Sequence, residues 1–165
     1  SVGMVMASMV FLKRMTDLQL QSITAVNEPN EENPLSEHER AILKEAQGQI
    51  LLFHIEGPLS FGAAKGMVRR LANFKQFDAL VLDLSDVPAM DYTSCRALDD
   101  MISDTLDVNR HVFIVCMRPK LKTFLDKQGI FKKLDIDNIH SQRSTALCAA
   151  ARSIDLDPEL CKPKE

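Results

Sequence analysis

The feature that most constrains the fold is the alternation of short apolar runs with segments of helical periodicity between residues 49 and 156. Three runs have the length and composition of buried strands and lie at Ile50–Ile55, Ala79–Leu84 and His111–Met117. Between them, apolar residues recur with the spacing of one helix face. Because strands that alternate with helices are typical of parallel sheets, the sequence predicts an α/β domain. We expect a mixed, largely parallel sheet of four to five strands with helices packed on it.

Capping residues and prolines predict where the helices begin. Ser36 precedes Glu39 by three residues, a capping-box pattern that opens a short helix. Ser141 is expected to cap the last helix. The other helices are expected to begin near Gly62, Tyr92 and Pro119. A weaker strand is predicted at Ile136–Ile139.

The first 17 residues differ in composition from the rest of the chain. Val2–Leu12 is apolar or small throughout and is followed directly by Lys13 and Arg14. As a helix these eleven residues would cover roughly half of a 30 Å hydrocarbon core. An apolar run that ends in two basic residues is typical of the cytoplasmic end of a transmembrane helix. An ordinary buried or amphipathic terminal helix is the alternative that these residues alone leave open.

The remaining residues divide into three parts. Residues 18–48 are predicted to be a linker with one short helix, because Gln21–Glu32 has too few large apolar side chains to offset its ordering entropy. Residues 49–156 form the predicted folded domain, and residues 157–165 a C-terminal tail. A chain of 165 residues, 45% of them hydrophobic, suits this single domain with a linker.

Composition argues against several classes of function. A net charge of -3, no Trp and no basic block disfavour a nucleic-acid partner. The four cysteines and four histidines are dispersed, without CxxC or HExxH spacing, so we expect reduced thiols and no metal site. Gly57 and Gly62 are too few for a phosphate-cradling loop, and no cofactor is expected. No nucleophile has an evident base, so the sequence does not predict an enzyme.

The turn before the second long helix carries the most informative polar residues. Asp91, Thr93 and Ser94 place a carboxylate and two hydroxyls where free backbone N–H groups favour an anion. A phosphate on Thr93 or Ser94 would be stabilised there, whereas plain N-capping is the simpler interpretation. Asp83 has no evident basic partner and is expected to be solvated. His54, within an apolar run, is expected to be a hydrogen-bonded core residue.

Two segments resemble a known family. Residues 55–64 (IEGPLSFGAA) are similar to the strand and turn that open the STAS domain of SulP anion transporters. Residues 81–94 (VLDLSDVPAMDYTS) resemble the most specific motif of that family, a strand ending in Asp-Leu-Ser and a turn with a Ser or Thr. The resemblance assigns Gly57, Pro58, Asp83 and Ser85 to the family-motif turns. It implies a STAS-like fold over residues 49–156.

Two branches of the family imply different functions. In free-standing anti-sigma-factor antagonists, a Ser at the position of Thr93 is phosphorylated by a partner kinase. Small, Gly-rich residues usually follow it there, but this chain has Ser94, Cys95 and Arg96. In SulP transporters the last transmembrane helix leads directly into the STAS domain, which fits the apolar start with Lys13 and Arg14 at the membrane boundary.

The SulP resemblance implies a regulatory and dimerisation domain at the cytoplasmic face of the plasma (inner) membrane. Its partners would be a second copy, the covalently attached transport domain and a regulatory protein. Within the family the chain is similar to cyanobacterial transporters in which bicarbonate enters with sodium, although no residue here distinguishes bicarbonate from sulfate. A soluble phosphorylation switch is the alternative, and a nucleotide-binding turn is a third interpretation.

Overall fold

The computed structural model describes residues 23–26, 35–74 and 76–161. The strands are β1 (Ile23–Val26), β2 (Ile50–Glu56), β3 (Ala79–Asp86), β4 (His111–Val115) and β5 (Ile139–His140). The α-helices are α1 (Glu37–Ala46), α2 (Phe61–Ala72), α3 (Tyr92–Asp107), α4 (Pro119–Lys127) and α5 (Arg143–Ser153). Short 3₁₀ helices lie at Ile130–Lys133, Ile136–Asn138 and Pro158–Cys161.

The strands form one mixed sheet in the order β1-β2-β3-β4-β5. Strands β2 to β5 are parallel, and β1 runs antiparallel to β2. The three strands predicted from apolar runs lie side by side, with Phe53, Leu82 and Ile114 in one row across the sheet. The predicted α/β fold with a largely parallel sheet is therefore confirmed.

Helices cover both faces of this sheet, because successive residues of a strand point to opposite faces. One face buries Phe53 and Leu82 together with apolar residues of α2, α3 and α4. The opposite face buries Leu52 and Val81 together with residues of α1 and α5. Strands buried on both faces read as continuous apolar runs, which is why the sequence located them so directly.

The predicted starts of α1 and α4 are confirmed. Ser36 Oγ accepts a hydrogen bond from the Glu39 N–H at 3.2 Å, and the Ser36 N–H donates to Glu39 Oε1 at 3.1 Å. Pro119 is the first residue of α4, where its missing N–H would have no partner in the helix anyway. Local capping chemistry was sufficient to place both helix starts.

Two predictions near the end of the domain are wrong in detail. Helix α5 begins at Arg143, and its N-cap is Gln142 rather than Ser141, with no side-chain capping hydrogen bond. The predicted strand at Ile136–Ile139 is mostly a 3₁₀ helix, and only Ile139 continues into β5. Ile136 is exposed, so its apolar side chain did not mark a buried strand.

The predicted linker contains a strand that the sequence did not indicate. Within Gln21–Glu32 the structure describes residues 23–26, which are β1, and Ile23 pairs with Ile55 of β2. Backbone hydrogen bonds to the edge of a sheet order such a segment although it has few large apolar side chains. The predicted end of a transmembrane helix, with its expected membrane boundary at Lys13 and Arg14, lies outside the described residues. Among the residues that are described, no helix has the length and apolarity needed to cross a membrane.

Candidate functional site

The predicted site residues lie at the carboxyl edge of the parallel strands. Gly57 follows β2, Asp83 and Ser85 are near the end of β3, and Thr93 is the second residue of the helix that follows β3. The loops after β2 and β3 are also joined, since the Leu59 N–H donates to the Ala89 carbonyl at 3.2 Å. In open α/β sheets this edge is where ligand and partner sites usually form.

The N-terminus of α3 is capped by the side chain of the residue that precedes it. Asp91 is the N-cap, and its Oδ1 accepts from the Ser94 N–H at 2.7 Å and from Thr93 Oγ1 at 2.9 Å. These hydrogen bonds from Ser94 and Thr93 lower the pKa of the Asp91 carboxyl group. The expected capping role is therefore confirmed.

The two candidate phosphoacceptor hydroxyls have different surroundings. Ser94 is fully buried, and its Oγ donates to the Leu59 carbonyl at 3.0 Å. Thr93 is exposed. Only the Thr93 hydroxyl is therefore accessible to another protein, while Ser94 joins α3 to the loop after β2.

The family-motif turn after β2 depends on a glycine. Gly57 has φ 81°, a left-handed conformation that side chains disfavour, and its N–H donates to the Asp86 carbonyl at 3.0 Å. Pro58, the next residue, is exposed. The turn thus ties the ends of β2 and β3 together before the chain enters α2.

Asp83 is not solvated as the sequence suggested, but fully buried. Its Oδ2 lies 2.8 Å from His54 Nδ1 on the neighbouring strand. Its Oδ1 accepts from the Ser85 N–H at 3.1 Å and from Ser85 Oγ at 2.5 Å. The prediction that His54 is a hydrogen-bonded core residue is confirmed. Asp83 and Ser85 of the family motif therefore have structural roles in this network.

Arg143 extends the network to the helices on the same face of the sheet. Its guanidinium binds both carboxylate oxygens of Glu39, with Nη2 donating to Oε1 at 3.2 Å and Nε donating to Oε2. Its Nη1 donates to Asp83 Oδ2 at 3.3 Å. One row of polar side chains thus connects α1, α5, β3 and β2 through Glu39, Arg143, Asp83 and His54.

The pKa values of this row are shifted toward the charged forms. Burial raises the pKa of Asp83, but hydrogen bonds from His54 and Ser85 outweigh burial and lower it. Burial likewise raises the pKa of Glu39, and hydrogen bonds from Arg143 and Ser36 bring it below its usual value. The hydrogen bond with Asp83 raises the pKa of His54 against the opposing effect of burial. The network therefore holds ionised carboxylates inside the domain.

Three large apolar side chains are exposed on segments at the same edge of the sheet as Thr93. Phe61 begins α2, Tyr92 begins α3 and Met117 follows β4, and each is about half exposed. All three belong to segments that leave the carboxyl edge of adjacent strands. Exposed apolar side chains gathered at one edge are typical of a contact surface for another protein.

A broad groove elsewhere on the domain does not coincide with this edge. It has a volume of about 1140 Å³ and lies between α1, α5 and the β5 region, and its lining includes His38, His111 and His140. Of the predicted site residues that the structure describes, none lines this groove. The carboxyl edge is therefore the candidate site that the sequence motifs and the structure share.

Comparison with known proteins assigns the family. The STAS domain family model matches residues 41–146, more than half of the chain. The bicarbonate transporter BicA of Picosynechococcus sp. is 34% identical over 153 residues, which are 93% of this chain and 27% of that protein. The chain thus spans about a quarter of the length of this curated relative.

Solved structures agree with this assignment. The STAS domain of a SulP transporter from Vibrio cholerae is 31% identical, with a TM-score of 0.54, and the match covers 61% of this chain and 79% of that one. An anti-sigma factor antagonist from Mycobacterium paratuberculosis has the same TM-score of 0.54 over 78% of this chain and 94% of its own. At 16% identity, that second likeness concerns the fold alone. The chain belongs to the STAS domain family, and the family members that it resembles in sequence are the STAS domains of SulP transporters.

Proposed function

We propose that this chain is the cytoplasmic regulatory and dimerisation domain of a SulP-family transporter that takes up bicarbonate together with sodium. The observation that carries the proposal is the 34% identity to a bicarbonate transporter over 93% of this chain. That relative is about four times as long as the matched segment, which covers 27% of it. The transport site would then lie in the part of the protein that precedes this domain, and the role of the domain would be regulatory rather than catalytic.

The carboxyl edge is the surface through which we propose that regulation acts. Thr93 is the exposed hydroxyl of the family motif, and the apolar side chains of Phe61, Tyr92 and Met117 are exposed on segments at the same edge of the sheet. A charge added at Thr93 would alter a surface suited to contact with another protein. A partner protein or a second copy of the domain would sense that change.

A test of this role uses the full-length transporter in proteoliposomes. We expect Thr93→Asp to change sodium-dependent bicarbonate uptake at least twofold, because it adds a carboxylate to the edge of the sheet that also exposes these apolar side chains. Thr145→Asp is the matched control, since Thr145 is also an exposed threonine in the first turn of a helix. Equal uptake by wild type and Thr93→Asp would contradict regulation through this edge. Uptake of sulfate without bicarbonate, or uptake independent of sodium, would contradict the proposed substrate or coupling ion.

The soluble phosphorylation switch is supported by one observation, the accessible hydroxyl of Thr93. The antagonist structure shares only the fold with this chain, at 16% identity. Mass spectrometry of the protein from its native cells separates the two proposals. A phosphothreonine at position 93 on a chain that is not joined to a transport domain would favour the switch over the transporter domain.

A further inference from the structure

Three side chains that can ligate a metal ion meet where β2 and β3 end. His54 Nε2 lies 3.2 Å from Glu56 Oε1 and 3.2 Å from Asp86 Oδ2. All three atoms lie within 4.8 Å of one another. The carboxylates of Glu56 and Asp86 are more than half exposed, so an ion from solution can reach the cluster.

An irregularity in the strand pairing creates this meeting point. His54 and Glu56 are two residues apart in β2 and therefore share a face of the sheet. His54 pairs with Asp83 and Glu56 pairs with Asp86, so β3 has one more residue than β2 between these two pairs. Such a β-bulge redirects the following side chain. Without it, Asp86 would point to the opposite face from Asp83 and His54.

The hydrogen bond of His54 Nδ1 with Asp83 directs the second ring nitrogen, Nε2, toward the two carboxylates. Asp83 is ionised and can only accept, so the Nδ1 atom of His54 carries the hydrogen in the 2.8 Å contact. In the neutral ring, Nε2 then presents a lone pair to Glu56 and Asp86. Arg143 contacts Asp83, on the Nδ1 side of the ring. The two carboxylates only accept, so the positive charge where they meet Nε2 is a proton on that nitrogen or a metal ion that displaces the proton.

The distances suit a small tetrahedral ion. Zinc binds nitrogen and carboxylate oxygen at about 2.0–2.1 Å, which places two ligand atoms of a tetrahedron roughly 3.3 Å apart. Both separations from His54 Nε2 are 3.2 Å. A metal-binding His commonly donates its other N–H to a carboxylate, as His54 does to Asp83. Calcium and magnesium prefer sites made entirely of oxygen, so the imidazole favours a transition metal.

We propose that His54, Glu56 and Asp86 bind one divalent transition-metal ion, with Zn²⁺ as the reference ion and a fourth position open to water. Asp83 is a positioning residue in this site, because it holds the imidazole ring without touching the ion. The bound ion would join the ends of β2 and β3. These strand ends lead into the loops that precede α2 and α3, which begin at Phe61 and Tyr92.

The test is calorimetric titration of the 165-residue chain with Zn²⁺ alone. The chain used for all titrations has Cys148→Ser and Cys161→Ser, since thiolates would bind zinc independently. We expect one ion per chain and a loss of affinity of at least about tenfold in Glu56→Gln and in Asp86→Asn. Asp104→Asn removes an exposed carboxylate from α3 and should leave the affinity within about twofold.

The variants remain informative because both altered carboxylates are exposed and their loss should leave the fold intact, which circular dichroism checks. As a second measurement, the ring ¹⁵N resonance of His54 Nε2 should shift on zinc addition while that of Nδ1 moves less. The absence of binding at millimolar Zn²⁺ would overturn the proposal. Equal affinity in Glu56→Gln, Asp86→Asn and the starting chain would also overturn it, because the ion would then lie elsewhere.

Discussion

Replacing Arg143 with glutamine is expected to destabilise the domain by about 3 kcal/mol, because the change leaves the buried carboxylate of Glu39 without its cation and removes one donor from Asp83. Glu39 loses a guanidinium that contacts both of its oxygens, and Asp83 loses a contact at 3.3 Å. The side chain of Arg143 is 20% exposed, so water can recover part of the loss. Urea unfolding followed by circular dichroism measures the difference.

A matched substitution separates this effect from the loss of any surface arginine. Arg69 lies on the exposed side of α2, and Arg69→Gln should change the free energy of unfolding by less than about 0.5 kcal/mol. Equal urea midpoints for Arg143→Gln and Arg69→Gln would mean that the ion pairs of Arg143 do not stabilise the domain.

The ion pair between Arg143 and Glu39 also predicts how the stability of the domain depends on pH. Burial raises the pKa of Glu39, but hydrogen bonds from Arg143 and Ser36 outweigh it and lower the pKa in the folded protein. A carboxyl group whose pKa is lower in the folded than in the unfolded protein stabilises the fold. This stability is present above the pKa of the unfolded chain, about 4.3, and is lost as the pH falls through the pKa of the folded protein. In Arg143→Gln, Glu39 remains buried without the guanidinium. The variant should therefore lose less stability than wild type on acidification below about pH 4.

Ser94→Asp is expected to destabilise the domain by about 4 kcal/mol or more, enough to unfold many domains of this size. Ser94 is fully buried, and its hydroxyl donates to the Leu59 carbonyl. A carboxylate at this position cannot donate a hydrogen bond to the Leu59 carbonyl. It would also lie close to the carboxylate of Asp91. Thermal unfolding by circular dichroism measures the loss.

Two further variants serve as comparisons for the stability of Ser94→Asp. Thr93→Asp, one position away on the exposed surface, should stay within about 0.5 kcal/mol of wild type. Ser94→Ala should cost about 1–2 kcal/mol, because the buried carbonyl of Leu59 loses its hydroxyl donor. If Ser94→Asp were as stable as Thr93→Asp, the buried position of Ser94 would be wrong, and both hydroxyls would again be candidate phosphoacceptors.

The sheet could be predicted from sequence because its central strands are buried on both faces. Runs such as Ala79–Leu84 therefore lack the alternation of a half-exposed strand. Helix starts with strong local chemistry, Ser36 and Pro119, were also predictable. Strand β1 was not, because it has only four residues within the polar segment Gln21–Glu32, and no local pattern indicates its antiparallel pairing with β2.

The buried network could not be predicted in the same way. Arg143 meets Glu39 across 104 positions of sequence, and no local pattern connects residues so far apart. The available signal was the presence of His54 and Asp83 within apolar runs, since charged groups in buried strands need partners. The β-bulge that brings Asp86 to His54 is equally invisible in the sequence, which is why no metal-ligand spacing was evident.

The difference in exposure between the hydroxyls of Thr93 and Ser94 could be predicted in part from the sequence. Ser94 lies four residues before Leu98 and seven before Met101, and this spacing places it on the inner face of α3. Thr93 is off that face. Helical periodicity thus favours Thr93 as the accessible hydroxyl, although the capping contacts of Asp91 depend on the geometry of the turn.

The proposal that this domain joins two transporter subunits is tested most directly by its molar mass. Light scattering of the 165-residue chain at several concentrations should give about 37 kDa, twice the 18.5 kDa of one chain, without a decrease on dilution. A mass near 18.5 kDa at every concentration would contradict a dimerisation domain.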